Sequence, residues 1–167
     1  MRDGGGTGDG TDAGVRYGPL TGSLGFLLRL AQLSAFRDFY DHVGELGVRP
    51  GEMSVLMLIA ENPGVRQGVL ARSLMIKRAH MTKMVRAMEE EGLVRRTIPE
   101  DDRRSVELWL TEAGEARVSG LLGPFLAHEA QVPATLSRRE TDQLRRLLRA
   151  YLGLPDTNTD PSEESGS

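Results

Sequence analysis

One short segment of this chain concentrates side chains that can donate hydrogen bonds to nucleic acid. Between Lys77 and Arg86 there is no acidic residue, whereas three glutamates follow together at positions 89–91. The side chains in this segment that can contact DNA are Lys77, Arg78, His80, Thr82, Lys83 and Arg86. A generally solvated helix would mix its charges, so this separation favours a DNA-reading surface.

The types of these side chains suggest how they divide the work. Arg78 and Lys83 can donate to O6 and N7 of guanine, and Thr82 and His80 can make shorter contacts to a base or a phosphate. The other basic and polar side chains of this region are better placed to contact the phosphates of the DNA backbone. We therefore expect phosphate contacts from Lys77 and Arg86, and contacts to flanking phosphates from Arg66 and Gln67.

A charged turn downstream, containing Asp101, Asp102, Arg103 and Arg104, is the second candidate contact. An arginine at the tip of a hairpin can enter the narrow, electronegative minor groove. An aspartate beside it would repel DNA, so we expect Asp102 to fold inward and brace Arg104 through a charge-assisted bond. Taken alone, the segment would be interpreted as an ordinary exposed turn.

The charge of the whole chain hides this pattern. The net charge of −3 over 167 residues gives no sign of nucleic-acid binding. Residues 64–104, however, hold ten Lys or Arg against six Asp or Glu, a net charge of +4 that leaves −7 for the remainder. One basic stretch in an acidic chain is typical of a protein with a single DNA-facing surface.

Composition narrows the class of protein. With 39% hydrophobic residues and no apolar run of transmembrane length or export signal, the sequence predicts a soluble, cytoplasmic protein with no membrane association. The absence of cysteine excludes disulfides, thiolate metal sites and thiol-based redox sensing. His42, His80 and His128 are far apart and lack metal-ligand spacing, so we expect neither a metal nor a cofactor.

Hydrophobic periodicity predicts helices through most of the chain. The first begins near Leu20, runs for about six turns and ends near Gly44 or Gly47. Later helices are expected after Arg49, at about Val65–Leu74, at about Lys77–Glu91 with Gly92 as its cap, from Thr111 with a kink at Pro124, and from the capping box of Ser137 and Glu140.

Period-two alternation marks one hairpin in this otherwise helical sequence. Its strands are Leu93–Ile98 and Val106–Leu110, with Leu108 facing the core and Trp109 facing outward. Three helices followed by a hairpin give the order of a winged helix–turn–helix, whose second helix enters the major groove. The predicted fold is therefore mainly α with a small β-hairpin wing.

Three segments resemble the MarR family of bacterial transcription regulators over roughly residues 20–152. They are Val69-Leu70-Ala71-x-x-Leu74, Met84-Val85-x-x-Met88-Glu89-x-x-Gly92-Leu93-Val94-x-Arg96, and Asp102-Arg103-Arg104 continuing to Thr111-Glu-Ala-Gly114. Methionines replace the usual aliphatic residues of the reading helix, and Arg86 replaces a frequent acid. The resemblance implies a regulator, a repressor by expectation, that binds a pseudo-palindromic operator as a homodimer.

The resemblance also implies how the chain is divided. We expect an arm without fixed structure at 1–18, a dimerisation helix at 19–48 and the winged helix–turn–helix at 49–111. The C-terminal dimerisation helices then occupy 112–152, and an acidic tail without fixed structure occupies 153–167. The predicted apolar stripes of the first and last helices exceed what a winged domain of about 60 residues can cover, which agrees with a dimer.

Many relatives in this family release DNA when a small aromatic acid binds between the dimerisation helices and the winged domain. The corresponding candidates here are Phe36, Phe39, Tyr40, Met53 and Met57. The alternative, which the sequence favours somewhat, is that this aromatic face is dimer core. Arg37 or His42 could neutralise a carboxylate.

Two other functions compete with a ligand-released regulator. An enzyme is disfavoured because no nucleophile–base arrangement, paired carboxylate motif or phosphate-binding loop stands out. A winged-helix protein without ligand sensing, either a constitutive repressor or a protein-interaction module, would have the same fold.

Overall fold

The computed structural model describes residues 14–100, 102–131, 133 and 135–155. Most of the predicted N-terminal arm and of the acidic tail, and Asp101 in the charged turn, lie outside the described residues. Within the described ranges, no helix is long and apolar enough to cross a membrane.

The described part of the chain is mainly helical with a small antiparallel sheet, as predicted. The elements in chain order are α1 (Leu24–Val43), α2 (Pro50–Glu61), β1 (Val65–Arg66), α3 (Gln67–Ser73), α4 (Arg78–Glu90), β2 (Val94–Thr97), β3 (Glu107–Leu110), α5 (Glu112–Glu129) and α6 (Arg138–Leu152). Short 3₁₀ turns at Gly18–Gly22 and Gly44–Leu46 flank α1.

The first helix starts later than the leucine pattern predicts. Leu20 lies in the 3₁₀ turn, and α1 begins at Leu24. Ser23 has extended backbone angles, and its hydroxyl accepts a hydrogen bond from the N–H of Phe26 at 3.4 Å. Ser23 therefore ends the turn and caps the following helix, a role that serine favours at helix starts.

The predicted third helix was wrong at its first two residues, because Val65 and Arg66 form a strand. They pair antiparallel with β3, giving a three-stranded sheet in the order β1-β3-β2. The main-chain N–H of Gly64 donates to the carbonyl of Leu108 at 2.9 Å, and that of Gln67 donates to Val106 at 2.8 Å. These bonds hold the segment extended until α3 begins.

A winged-domain core lies between α2, α3, α4 and the sheet. Its members are buried apolar side chains, namely Val55, Leu56, Ile59, Leu70, Ala71, Met81, Val85, Met88, Val94 and Leu108. Burying one large aliphatic side chain contributes about 1.5–3 kcal/mol. Met81, Val85 and Met88 recur on one face of α4, so this packing turns the basic side chains of that helix outward.

A second core joins α1 to α2 and α5. Phe39, Val48, Met53 and Leu121 are buried there, with Met57 and Phe125 packed against them. The guanidinium of Arg117 on α5 also donates to the carbonyl of Leu46. This smaller cluster attaches the long first helix to the winged domain.

The start of α5 is tied closely to the wing. The Thr111 N–H donates to the carbonyl of Leu93 at 3.0 Å, and its hydroxyl donates to that of Gly92 at 2.5 Å. A Cβ added to Gly114 would lie 2.1 Å from the same Leu93 oxygen. Only glycine allows this approach, which explains why the Thr-Glu-Ala-Gly segment follows β3.

The outer faces of the terminal helices remain open in the single chain. The capping box predicted at Ser137 and Glu140 is present at the start of α6, and its hydrogen bonds lower the pKa of Glu140.

The apolar stripe of α6 is largely exposed, with Leu144 at 45%, Leu147 at 51% and Tyr151 at 64% of their surface accessible. On α5, Leu121 is buried whereas Leu122 and Leu126 are exposed.

Replacing Gly114 with alanine should destabilise the fold. The new methyl group would overlap a main-chain oxygen that is itself hydrogen-bonded, so we expect Gly114→Ala to lower the free energy of unfolding by about 3 kcal/mol. Urea denaturation measures this change. Gly120→Ala in the same helix is the matched control, because nothing lies within 4 Å of its added Cβ; similar stability of the two variants would disprove the close contact.

Candidate nucleic-acid interface

An open groove of about 640 Å³ separates the turn of the wing from helices α3 and α4. Arginines from three separate parts of the chain line it: Arg66 at the end of β1, Arg78 at the start of α4 and Arg104 in the wing. Gln67 of α3 and Thr82 of α4 also line the groove. The groove therefore brings together five of the residues that the sequence predicts to contact DNA.

Two of these groove residues are bonded to each other. The side-chain amide of Gln67 donates to the hydroxyl of Thr82, with Nε2 and Oγ1 3.0 Å apart. Both residues are partly buried, whereas Arg78 beside them is exposed. Gln67 therefore faces α4. Its residue type alone had suggested a side chain that lies free toward flanking phosphates.

Asp102 organises the wing through a hydrogen bond with Arg104, as predicted, and through an ion pair with a second arginine. Its Oδ1 accepts a hydrogen bond from the main-chain N–H of Arg104 at 3.1 Å, and its Oδ2 lies 3.5 Å from Nη1 of Arg66. The guanidinium that pairs with Asp102 is therefore that of Arg66, since β1 runs beside the wing in the three-stranded sheet. Asp102 shapes the turn around Arg104 and ties it to the start of α3.

The remaining basic residues spread over the outer surface of α4 and the wing. Lys83 and Arg86 line a shallower depression of about 360 Å³ along α4, which Thr82 also borders. Lys77 is the residue that precedes α4, and its side chain is exposed. His80 and Arg103 are exposed and line neither groove.

One basic residue of the groove was missed by the sequence analysis. Arg72, in the last turn of α3, also lines the groove. The sequence places Arg72 six residues after Arg66, within the basic stretch. Only the direction in which α3 runs shows that both arginines line the same groove. The groove is thus more basic than predicted.

An ion pair fixes the wing relative to the far end of α4. Nε of Arg96 on β2 donates to Oε2 of Glu89 at 2.7 Å, and Nη2 of Arg96 contacts the same oxygen. This hydrogen bond raises the pKa of Arg96. At least one of the three glutamates that end α4 therefore has a structural partner.

Trp109 also holds the wing in place. It lies on the opposite face of β3 from buried Leu108, as predicted, but it is half-buried rather than free in solvent. Its indole N–H donates to Oγ1 of Thr97 at 3.0 Å, and its ring covers Gly64, where an added Cβ would lie 2.7 Å away. The Arg95 guanidinium stacks 5.5 Å above the ring, a cation–π contact.

The five predicted ligand-lining residues do not share one environment. Phe39 and Met53 are buried in the second core and Met57 packs against it, whereas Phe36 and Tyr40 remain exposed. Phe39 and Tyr40 contact edge to face, with centroids 6.1 Å apart. None of the five lines either groove described above.

Two histidines that are far apart in the sequence meet in the structure. The rings of His42 on α1 and His128 on α5 lie 5.4 Å apart between centroids, so the expectation that the three histidines are far apart was wrong for this pair. His42 Nδ1 is 2.7 Å from the carbonyl oxygen of Asp38. Across the described ranges, no group of three or more His, Cys, Asp or Glu side chains could hold a metal ion.

Comparison with known proteins agrees with this geometry. The family profile described as "MarR family" matches residues 48–106, from just before α2 to just before β3. A putative transcriptional regulatory protein for the hcr operon of Thauera aromatica is 34% identical over 134 residues, which cover 80% of this chain and 81% of that protein. The chain belongs to the MarR family.

Solved MarR-family structures extend the similarity beyond the winged domain. The transcriptional repressor CouR bound to a 23-mer DNA duplex shares 35% identity and a TM-score of 0.74, over 82% of this chain and 97% of that one. CouR bound to p-coumaroyl-CoA shares 32% identity and a TM-score of 0.72, over 82% and 96%. This chain is accordingly a transcription regulator of the MarR type with a winged-helix fold.

Proposed function

We propose that this MarR-type regulator represses transcription by binding a pseudo-palindromic operator with the basic groove between α3, α4 and the wing. The observation that carries the proposal is the meeting of Arg66, Arg78 and Arg104 in one groove, beside the acid-free half of α4. A winged helix–turn–helix places its second helix in the major groove, which puts α4 against base edges. The wing then reaches the flanking minor groove with Arg104.

The proposed DNA-binding unit is a homodimer. The apolar residues exposed on α1, α5 and α6 form faces that a single chain leaves uncovered, among them Leu27, Leu126 and Leu147. A two-fold dimer that covers them would set two copies of α4 about one turn of DNA apart, matching an operator with two-fold symmetry.

We further propose that an aromatic acid or its thioester releases the operator. The DNA-bound and p-coumaroyl-CoA-bound forms of CouR support this, because they show a similar fold with each kind of partner. Exposed Phe36 and Tyr40 on α1, together with Met57 at the edge of the second core, offer an aromatic and polarisable surface. An effector bound there would lie beside the cluster that joins α1 to the winged domain.

Fluorescence anisotropy on DNA from the protein's own promoter tests the function directly. Specific duplex should bind at least about a thousandfold more tightly than scrambled duplex, with a strong dependence on salt. A panel of aromatic acids and coenzyme A thioesters, added to the complex, tests release. Equal and weak binding to both duplexes, followed by a failed selection from random sequences, would refute DNA reading. Selective binding that no compound disturbs would keep DNA reading and exclude the tested acids and thioesters as effectors.

Arg104→Ala should weaken DNA binding. Loss of the wing arginine removes one cationic contact from each half-site, so the slope of log affinity against log salt should fall by about one unit per half-site. Arg139→Ala, an exposed arginine on α6, is the matched control and should bind normally. Unchanged affinity of Arg104→Ala would remove the wing from the interface.

Arg78→Ala should change sequence preference rather than affinity alone. A bidentate arginine–guanine contact contributes about 1–3 kcal/mol of discrimination, so preference at one or two positions per half-site should relax by that amount. Competition between operators with single-base changes measures it. A loss that is the same for all sequences would reassign Arg78 to phosphate.

Leu147→Glu should separate the dimer. A carboxylate in the middle of the α6 stripe would be buried without a partner, so sedimentation velocity should show monomer at concentrations where the parent protein is dimeric. Arg146→Glu adds a carboxylate to the same helix on a different face and should remain dimeric. Dimeric Leu147→Glu would exclude this stripe from the interface.

A further inference from the structure

The hydroxyl of Thr82 is positioned by Gln67, fifteen residues earlier in the chain. Gln67 Nε2 donates to Thr82 Oγ1 at 3.0 Å, and the bond is partly buried at the inner wall of the groove. A hydroxyl has one hydrogen to donate and two lone pairs that accept. The amide of Gln67 occupies one lone pair, and within the described ranges no protein acceptor takes the hydroxyl hydrogen.

Gln67 is itself held in place by the sheet. Its main-chain N–H donates to the carbonyl of Val106 at 2.8 Å, immediately before β3, and it is the first residue of α3. Its backbone is therefore set by the wing while its amide contacts α4. This fixed position of Gln67 sets the orientation of the Thr82 hydroxyl, because the hydroxyl accepts its hydrogen bond from an amide that cannot move far.

Thr82 stands where a base contact is possible. It borders both the deep groove and the shallower depression along α4, and Arg78 lies one turn before it on the same side of the helix. Met81 is fully buried, which holds this part of α4 against the winged-domain core. A short side chain on a rigid helix can reach only the base directly opposite it.

We propose that Gln67 is a positioning residue that presents Thr82 to the operator as a hydrogen-bond donor, so that Thr82 specifies a base carrying an acceptor. The acceptors available in the major groove are purine N7, guanine O6 and thymine O4, whereas cytosine presents the N4 donor. Thr82 then favours an acceptor-bearing base over cytosine at one position in each half-site, because only such a base can accept the free hydroxyl hydrogen. This inference rests on the proposed function, because it assigns a role within the same DNA-reading groove.

The test begins with a duplex selected from random sequences by the full-length parent protein. Every position of one half-site is then changed to each other base, and affinities are measured by competition for the parent, Gln67→Met, Thr82→Val, Thr82→Ser and the double variant Gln67→Met/Thr82→Val. Gln131→Met, at an exposed position after α5, is the control for the glutamine change. Thermal unfolding of each variant verifies that it is folded.

The expected result is localised and shared between the two residues. Thr82→Val should lose roughly two- to tenfold discrimination against cytosine at a single position, because one hydrogen bond is removed, with preference at the other positions unchanged. Gln67→Met should lose discrimination at the same position, and the double variant should lose no more than Thr82→Val alone. Thr82→Ser keeps the hydroxyl and should retain the preference.

Other outcomes overturn the proposal in distinguishable ways. If Gln67→Met weakens binding equally for all sequences and lowers the salt slope, Gln67 is a phosphate contact. If the parent protein selects a sequence but Thr82→Val leaves every preference intact, Thr82 does not read a base, although the proposed function stands. If the parent selects no sequence at all, the proposed function fails together with this inference.

Discussion

Two main-chain hydrogen bonds, from Gly64 to Leu108 and from Gln67 to Val106, organise the basic groove between the wing, α3 and α4. They join β1 to the central strand β3 and so decide where α3 begins and how it meets α4. Arg66 and Gln67 then extend from a fixed edge of the sheet, one toward Asp102 in the wing and the other toward Thr82 in α4. This strand links the wing to the helix pair in addition to the core beneath them and the ion pair between Arg96 and Glu89.

Helix α4 keeps its charged side chains apart from its buried apolar ones. The apolar residues lie on the inner face, and the basic residues come before the acidic ones along the helix. Fully buried Met81 and Val85 turn the inner face toward the core, so the basic side chains of the first half project outward without a desolvation cost. At the far end, Glu89 is paired with Arg96 of the wing. Asp102 similarly lies among arginines, where an ion pair reduces the repulsion that several cations in one groove would cause.

The sequence was sufficient to predict the elements that have a period or a cap. The helices follow from their apolar repeats, and the start of α6 follows from the capping box at Ser137. Strand β1 escaped prediction because two residues are too few to show alternation, and only pairing with β3 makes them extended. The side-chain types predicted a basic surface on α4 and the wing, yet the ion pair of Asp102 with Arg66 depended on which strand lies beside the wing.

Contacts between distant parts of the chain could not be predicted from the sequence, because they too depend on how separate elements pack together. No local pattern links Gln67 with Thr82 or His42 with His128, since each contact depends on how two helices approach one another. The ligand-lining residues on α1 and α2 were grouped by helical spacing alone. Packing then separated buried Phe39 from exposed Phe36, a distinction that three residues of spacing cannot make.

The contact of Gly114 with the carbonyl of Leu93 gives α5 the mechanics of a lever. Because the helix cannot slide or pivot at that end without a clash, the wing and the first turn of α5 must move as one piece. The eighteen residues of α5 span about 27 Å, so tilting the helix by about 10° displaces one end by roughly 5 Å relative to the other. A small tilt of α5 is thereby converted into a displacement of several ångströms between its far end and the wing.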